Sequence, residues 1–114
     1  MAAAYLVLFV ADPADDGHAD AIRDAARQVP GAGFFDDPAD DGERTVGAFL
    51  RTDDPAGRGA PLVHALADVS LLLAARIEVQ YREAVLGWIV DGRPDAALSR
   101  ALNLSGVRDI PEAQ

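Results

Sequence analysis

No cysteine and no lysine occur among these 114 residues. The first absence excludes disulfides, thiol catalysis and zinc–thiolate sites. The second leaves arginine to supply all ten basic side chains, against nineteen acids of which fifteen are Asp, for a formal net charge of −9. A chain so short of positive charge is not expected to bind nucleic-acid phosphates or anionic lipid, which require a basic patch. It can dock on a basic protein partner, although a negative surface serves solubility in the first place. Long hydrophobic runs are also missing. Nothing approaches the ~18 apolar residues of a membrane span, and Met1-Ala2-Ala3-Ala4 lacks the basic start of a signal peptide. A cytoplasmic location is the expectation. Ala, Asp, Arg and Gly dominate the remainder, as GC-rich bacterial codon usage produces; salt adaptation is the other source of such a bias.

Groups able to do chemistry are few. The two histidines are His18 and His64, and the hydroxyls are Ser70, Ser99, Ser105, Thr45, Thr52, Tyr5 and Tyr81. No serine sits in a nucleophile elbow. Two histidines without cysteine make a poor transition-metal set, so no metal or other cofactor is expected. The turn after Val10 is acidic where a phosphate loop would be glycine-rich, which argues against nucleotides.

What is present is organised around Pro61 to Val90. Leu62, Leu66, Val69 and Leu73 recur at helical spacing, with Val63, Leu71 and Leu72 widening the stripe. Pro61 suits the first position of that helix, and Arg51 to Gly59 reads as loop. Ile77, Val79 and Tyr81 then alternate with Arg76, Glu78, Gln80 and Arg82, the period of a half-buried strand. Ala84 to Val90 is apolar throughout and closes at Asp91-Gly92. A continued helix over 74–89 is the competing reading, and the alternation favours strands.

Upstream, Tyr5 to Val10 is a continuous apolar run, the pattern of a central strand buried on both faces. A helix is predicted from about His18 to Val29, capped by Asp15 or Asp16 and stopped by Pro30-Gly31. Ala32 to Phe35 and Thr45 to Leu50 read as strands, and Pro94 to Leu102 as a short helix. The order strand-helix-strand-strand-helix-strand is the ferredoxin-like split βαβ arrangement, an α+β fold with both helices on one face of the sheet. Here it gains a C-terminal strand and a short terminal helix. Residues 1–103 form one domain and 104–114 a polar tail. The sheet face away from the helices should stand open, and small domains of this kind often cover it with a second copy.

Three features invite a functional reading. Asp12-Pro13-Ala14-Asp15-Asp16-Gly17 recurs as Asp37-Pro38-Ala39-Asp40-Asp41-Gly42, echoed by Asp54-Pro55-Ala56-Gly57. Carboxylate loops can hold a hard cation, but Ala14 and Ala39 stand where an EF-hand needs a ligand, and Arg23 and Ala48 where it needs a bidentate Glu. The loops read as turns. His64 and Asp68, four apart on the outer face of the long helix, are the candidates for an acid–base pair, and equally an ordinary exposed pair. Arg76, Arg82 and Arg93 flank the last two strands and can hold carboxylates, or simply solubilise strand edges.

Within Ala84 to Val90, alternation places Leu86, Trp88 and Val90 on one face and Val85, Gly87 and Ile89 on the other. Both faces are apolar, so both need cover. One faces the helices, and the terminal helix or another subunit must supply the rest. Leu86, Trp88 and Val90 are therefore the candidate interface. The expected function is a non-catalytic protein-interaction module, a self-associating adaptor, regulatory or immunity-type domain, with a homo-oligomer or a basic protein as partner. The alternative is a small cofactor-independent enzyme of the dimeric α+β-barrel type acting on an apolar compound, with His64 and Asp68 as its catalytic pair.

Overall fold

A computed structural model describes residues 4–38 and 44–102. Its elements are β1 (Tyr5–Val10), α1 (Asp16–Arg27), β2 (Ala32–Pro38), β3 (Arg44–Arg51), α2 (Pro55–Leu73), β4 (Ile77–Tyr81), β5 (Ala84–Val90), β6 (Arg93–Pro94) and α3 (Ala96–Leu102). They build one sheet in the order β2-β3-β1-β4-β5-β6, antiparallel at every pairing. The first four strands and two helices have the ferredoxin-like arrangement; β5 and β6 extend the sheet beyond β4. The expected 104–114 tail and the Ala39–Gly42 part of the second Asp loop lie outside the described residues. No helix among the described residues is long and apolar enough to cross a membrane.

The helix layer fills one side of the sheet. Leu6, Leu8 and Val10 of β1, Val46, Ala48 and Leu50 of β3, and Ile77 and Val79 of β4 face Ile22 of α1 and Leu62, Val63 and Leu66 of α2, all buried in one cluster. Burying a side chain of this kind is worth roughly 1.5–3 kcal/mol relative to exposure. The cluster therefore holds sheet and helices together. Helix α1 begins where Asp15 caps it: the Asp15 carboxylate accepts from the His18 backbone N–H at 3.0 Å, and His18 Nδ1 accepts from the Asp15 N–H at 3.1 Å. This is a capping box with His in place of the usual Glu or Gln.

Helix α2 starts six residues before the expected Pro61. Asp54 caps it by accepting from Gly57 N–H at 3.0 Å, and Pro55 rather than Pro61 occupies the first turn. Gly57 and Gly59 disguised this turn as loop, since glycine is a poor helix former. Pro61 lies inside the helix and forgoes its bond to the Gly57 carbonyl. Leu71 and Leu72 do not widen the buried stripe as expected; they are 67% and 77% exposed. At about 100° per residue each stands more than roughly 100° around the helix from Leu66. The two strands β4 and β5 replace the competing helix over 74–89, and their hairpin turns at Arg82 and Glu83, both at positive φ.

Helix α3 settles what covers the inner face of β5. After β6, Asp95 caps it by accepting from Leu98 N–H at 2.9 Å, and α3 packs on β5 and α2. Leu98 comes so close to Gly87 that a Cβ on Gly87 would stand 2.7 Å from both the Leu98 N and its Cβ. Gly87 thus admits another backbone segment, and that segment is this chain's own α3. All three helices lie on the same side of the sheet. Strand β1 is accordingly not buried on both faces: Leu6, Leu8 and Val10 are buried, while Tyr5 is 42% exposed and Val7 and Phe9 are half-buried.

Candidate functional site: the open face of the sheet

Cross-strand partners share a face, so the register assembles the outer surface residue by residue. Across β2, β3, β1, β4 and β5 one row reads Gly33, Phe49, Val7, Gln80, Val85. The next reads Phe35, Gly47, Phe9, Glu78, Trp88. Tyr5 and Arg51 stand opposite one another at one end, and Val90 lies beside Trp88's row at the other. Tyr5, Phe9, Phe35, Phe49 and Trp88 make five of the chain's seven aromatic side chains, and no element among the described residues covers them.

Two glycines make this surface level. Phe49 lies opposite Gly33 and Phe35 opposite Gly47. A Cβ on Gly33 would run into the Phe49 ring, and one on Gly47 into Phe35 and the backbone of β1. The rings lie down over the glycines, an aromatic filling of a strand position that has no side chain. Tyr5 meets Phe49 edge-on at 6.0 Å between centroids, and Phe35 meets Phe49 at 6.4 Å. Contacts in this range add about 0.5–1.5 kcal/mol per pair. The result is a contiguous aromatic plate over β1, β3 and β2.

Strand β4 interrupts it. The Gln80 side-chain amide donates to Glu78 at 2.6 Å, and both are partly buried. Beyond them Trp88 carries the Arg76 guanidinium over its ring at 5.5 Å. Arg76 also donates to Asp12 at 2.9 Å, so the first Asp loop is tied to the edge of this face. Of the expected interface residues, Trp88 and Val90 lie on the open face and Val90 is 39% exposed. Leu86 does not join them. Gln80 pairs with Val85 and Val79 with Gly87, so a bulge leaves Leu86 without a partner, and it packs against the core cluster. Val85, 55% exposed, takes its place.

The acid–base candidates lie away from this surface. His64 and Asp68 are exposed on α2, in the helix layer on the far side of the sheet, and make no hydrogen bond to each other among the described residues. His64→Ala and Asp68→Ala should each change stability by no more than about 0.5 kcal/mol, as exposed substitutions do; thermal melts check both. His18 is committed to its capping box.

The Asp loops are structural where they are described. Asp12 pairs with Arg76, Asp15 caps α1, and Asp16 accepts from Arg44 at 2.8 Å. Arg44 reaches Asp36 with two donors, at 2.8 and 2.6 Å, pinning β2 and β3 to the start of α1. No group of three or more His, Asp or Glu suited to a metal ion occurs among the described residues.

These contacts hold three carboxylates below their usual range: Asp12 by its hydrogen bond from Arg76, Asp36 by that from Arg44, and Asp15 by the His18 N–H. A carboxylate whose pKa is lower folded than unfolded contributes stability above its unfolded value and loses it as pH falls through the folded value. The melting temperature should therefore hold from neutrality down to about pH 5 and fall below about pH 4, where ordinary carboxylates protonate. Arg76→Gln should flatten part of that fall by leaving Asp12 without its donor.

No protein family, no curated protein and no solved structure matches this chain. The geometry of the open face has to carry the functional reading.

Proposed function

We propose that this chain is a non-catalytic interaction domain that self-associates through the open face of its sheet, as an adaptor, regulatory or immunity-type module. One observation carries the reading: five aromatic side chains and Val7, Val85 and Val90 share a face that the described residues leave uncovered, broken only where β4 brings Glu78 and Gln80 to it. Contiguous exposed apolar surface of this kind marks an association site. The acid–base candidates of the enzyme alternative, His64 and Asp68, stand behind the helices and add nothing to this face.

The occupant we favour is a second copy. Five strands spaced by ~4.8 Å and about six residues at ~3.3 Å give a face of roughly 500 Å² per copy. Two such faces reach about 1,000 Å², the lower bound for a specific interface. Affinity should therefore be modest, in the micromolar range. The charge of the face suits self-association as well. Arg51, Arg76 and Arg93 stand against Glu78, Asp37 and the Asp12 that pairs with Arg76, a balanced set within a chain of net charge −9. Stacking of single-stranded nucleic acid on such aromatics would require a basic groove, which this balance does not offer. The lack of cysteine and the Asp- and Arg-heavy composition support a cytoplasmic protein of a GC-rich bacterium. Sedimentation from ~1 to ~500 μM tests the reading: a monomer–dimer equilibrium is expected, and a monomer at every concentration would remove it.

A further inference from the structure

Resting on that self-association, we infer the register in which two copies meet: Arg51 of each copy lies against Glu78 of the other, about a two-fold axis that passes over Val7. Glu78 poses the problem this solves. It sits in the middle of the open face, between Phe9 on β1 and Trp88 on β5. Covering the face would take its carboxylate out of water with the Gln80 amide as its one hydrogen-bond partner among the described residues. A buried carboxylate without a cation is costly, so the covering surface must bring one.

Among the described residues, three cations stand on this face. Arg76 is committed to Asp12 and to the Trp88 ring. Arg93 lies opposite Val90 on β6, at the outer edge. Pairing Arg93 with Glu78 would centre the axis on β5 and leave the aromatic plate of β1, β2 and β3 largely uncovered. Arg51 is exposed and makes no ion pair among the described residues.

Its position is the one that keeps the overlap. Arg51 stands opposite Tyr5, one strand from β1 on the β3 side and two residues before Val7. Glu78 stands opposite Phe9, one strand from β1 on the β4 side and two residues after Val7. Val7, on the central strand, is therefore midway between them. A two-fold axis in the plane between the sheets, over Val7 and perpendicular to the Arg51–Glu78 line, exchanges the two positions. It forms the pair twice while laying plate on plate. With strands ~4.8 Å apart and residues ~3.3 Å apart, the strands of the two sheets then cross at roughly 70°, nearer the orthogonal than the aligned class of sheet packing.

Charge reversal tests the register. Glu78→Arg and Arg51→Glu should each weaken self-association by about tenfold or more, because each places two like charges against one another. The double variant should return to within about threefold of wild type, since both pairs are restored in the opposite sense. Circular dichroism on each variant checks folding. Should a reversal misfold, Glu78→Gln and Arg51→Gln replace it, and the double should then be no weaker than the worse single. Trp88→Asp is measured alongside. If it dissociates the dimer while the double charge variant stays as weak as its parents, or the singles have no effect, the register is wrong and open-face association stands. If Trp88→Asp leaves the dimer intact, both fall.

Discussion

Trp88→Asp is expected to sediment as a folded monomer at concentrations where the wild type is a dimer. Trp88 lies on the face with no helix, half-buried under the Arg76 guanidinium, so its ring is not part of the packed core. An Asp there stands opposite Glu78 and beside Arg76, so the folding cost is the ~1 kcal/mol span of strand preferences plus a like-charge pair of up to ~1 kcal/mol. Association is another matter. Trp88 stands two strands from the proposed axis over Val7, and an aromatic side chain buried away from the centre of an interface contributes about 1–2 kcal/mol, or roughly five- to thirty-fold in Kd. At micromolar wild-type affinity that loss moves the midpoint to roughly tens of micromolar, still within the sedimentation range, so the two association curves separate. A variant that unfolds instead would place Trp88 in the core.

The residue next to it should behave in the opposite way. Gly87→Val is expected to destabilise the fold by about 3 kcal/mol, in the upper range for overpacking, out of a total of about 5–15 kcal/mol. A Cβ at Gly87 meets the Leu98 backbone N at 2.7 Å, and a backbone segment cannot rotate away as a side-chain tip can. Helix α3 would have to lift, taking the buried Leu98 and Leu102 with it and exposing Ile89. Urea denaturation measures the loss. The dimer affinity of the remaining folded protein should be unchanged, because the open face is untouched. Two adjacent residues of one strand should thus separate the two sides of the sheet: one substitution is expected to weaken association and keep the fold, the other to weaken the fold and keep association.

Much of this fold was legible because its signals are local. The apolar run Tyr5 to Val10, the alternation over Ile77 to Tyr81 and the Asp15 cap each declare themselves within a few residues, and the element order then implies the sheet. The surface was less legible, because it depends on register. That Phe49 lies over Gly33 and Phe35 over Gly47 follows from which residue of β2 faces which of β3, and no local pattern states it. Tyr5, Val7 and Phe9 were visible as apolar, but the continuous run of β1 reads as burial on both sides within one chain; it is equally what a strand shows when its second cover comes from elsewhere. Alternation counted back from Val90 placed Trp88 correctly and Leu86 wrongly, since the bulge opposite Val79 and Gln80 breaks the period of two. Helix α2 hid its first turn behind Gly57 and Gly59, where tertiary contact overrides a weak propensity.

Trp88 is the only tryptophan, so the proposed interface carries its own reporter. Its emission and its quenching by neutral acrylamide can be followed over the same dilution series as the sedimentation. If the open faces meet, emission should shift to shorter wavelength and quenching should fall in step with the dimer fraction, with one midpoint for both. A dimer that forms while Trp88 keeps the emission and quenching it has at the lowest concentration would contradict assembly through this face.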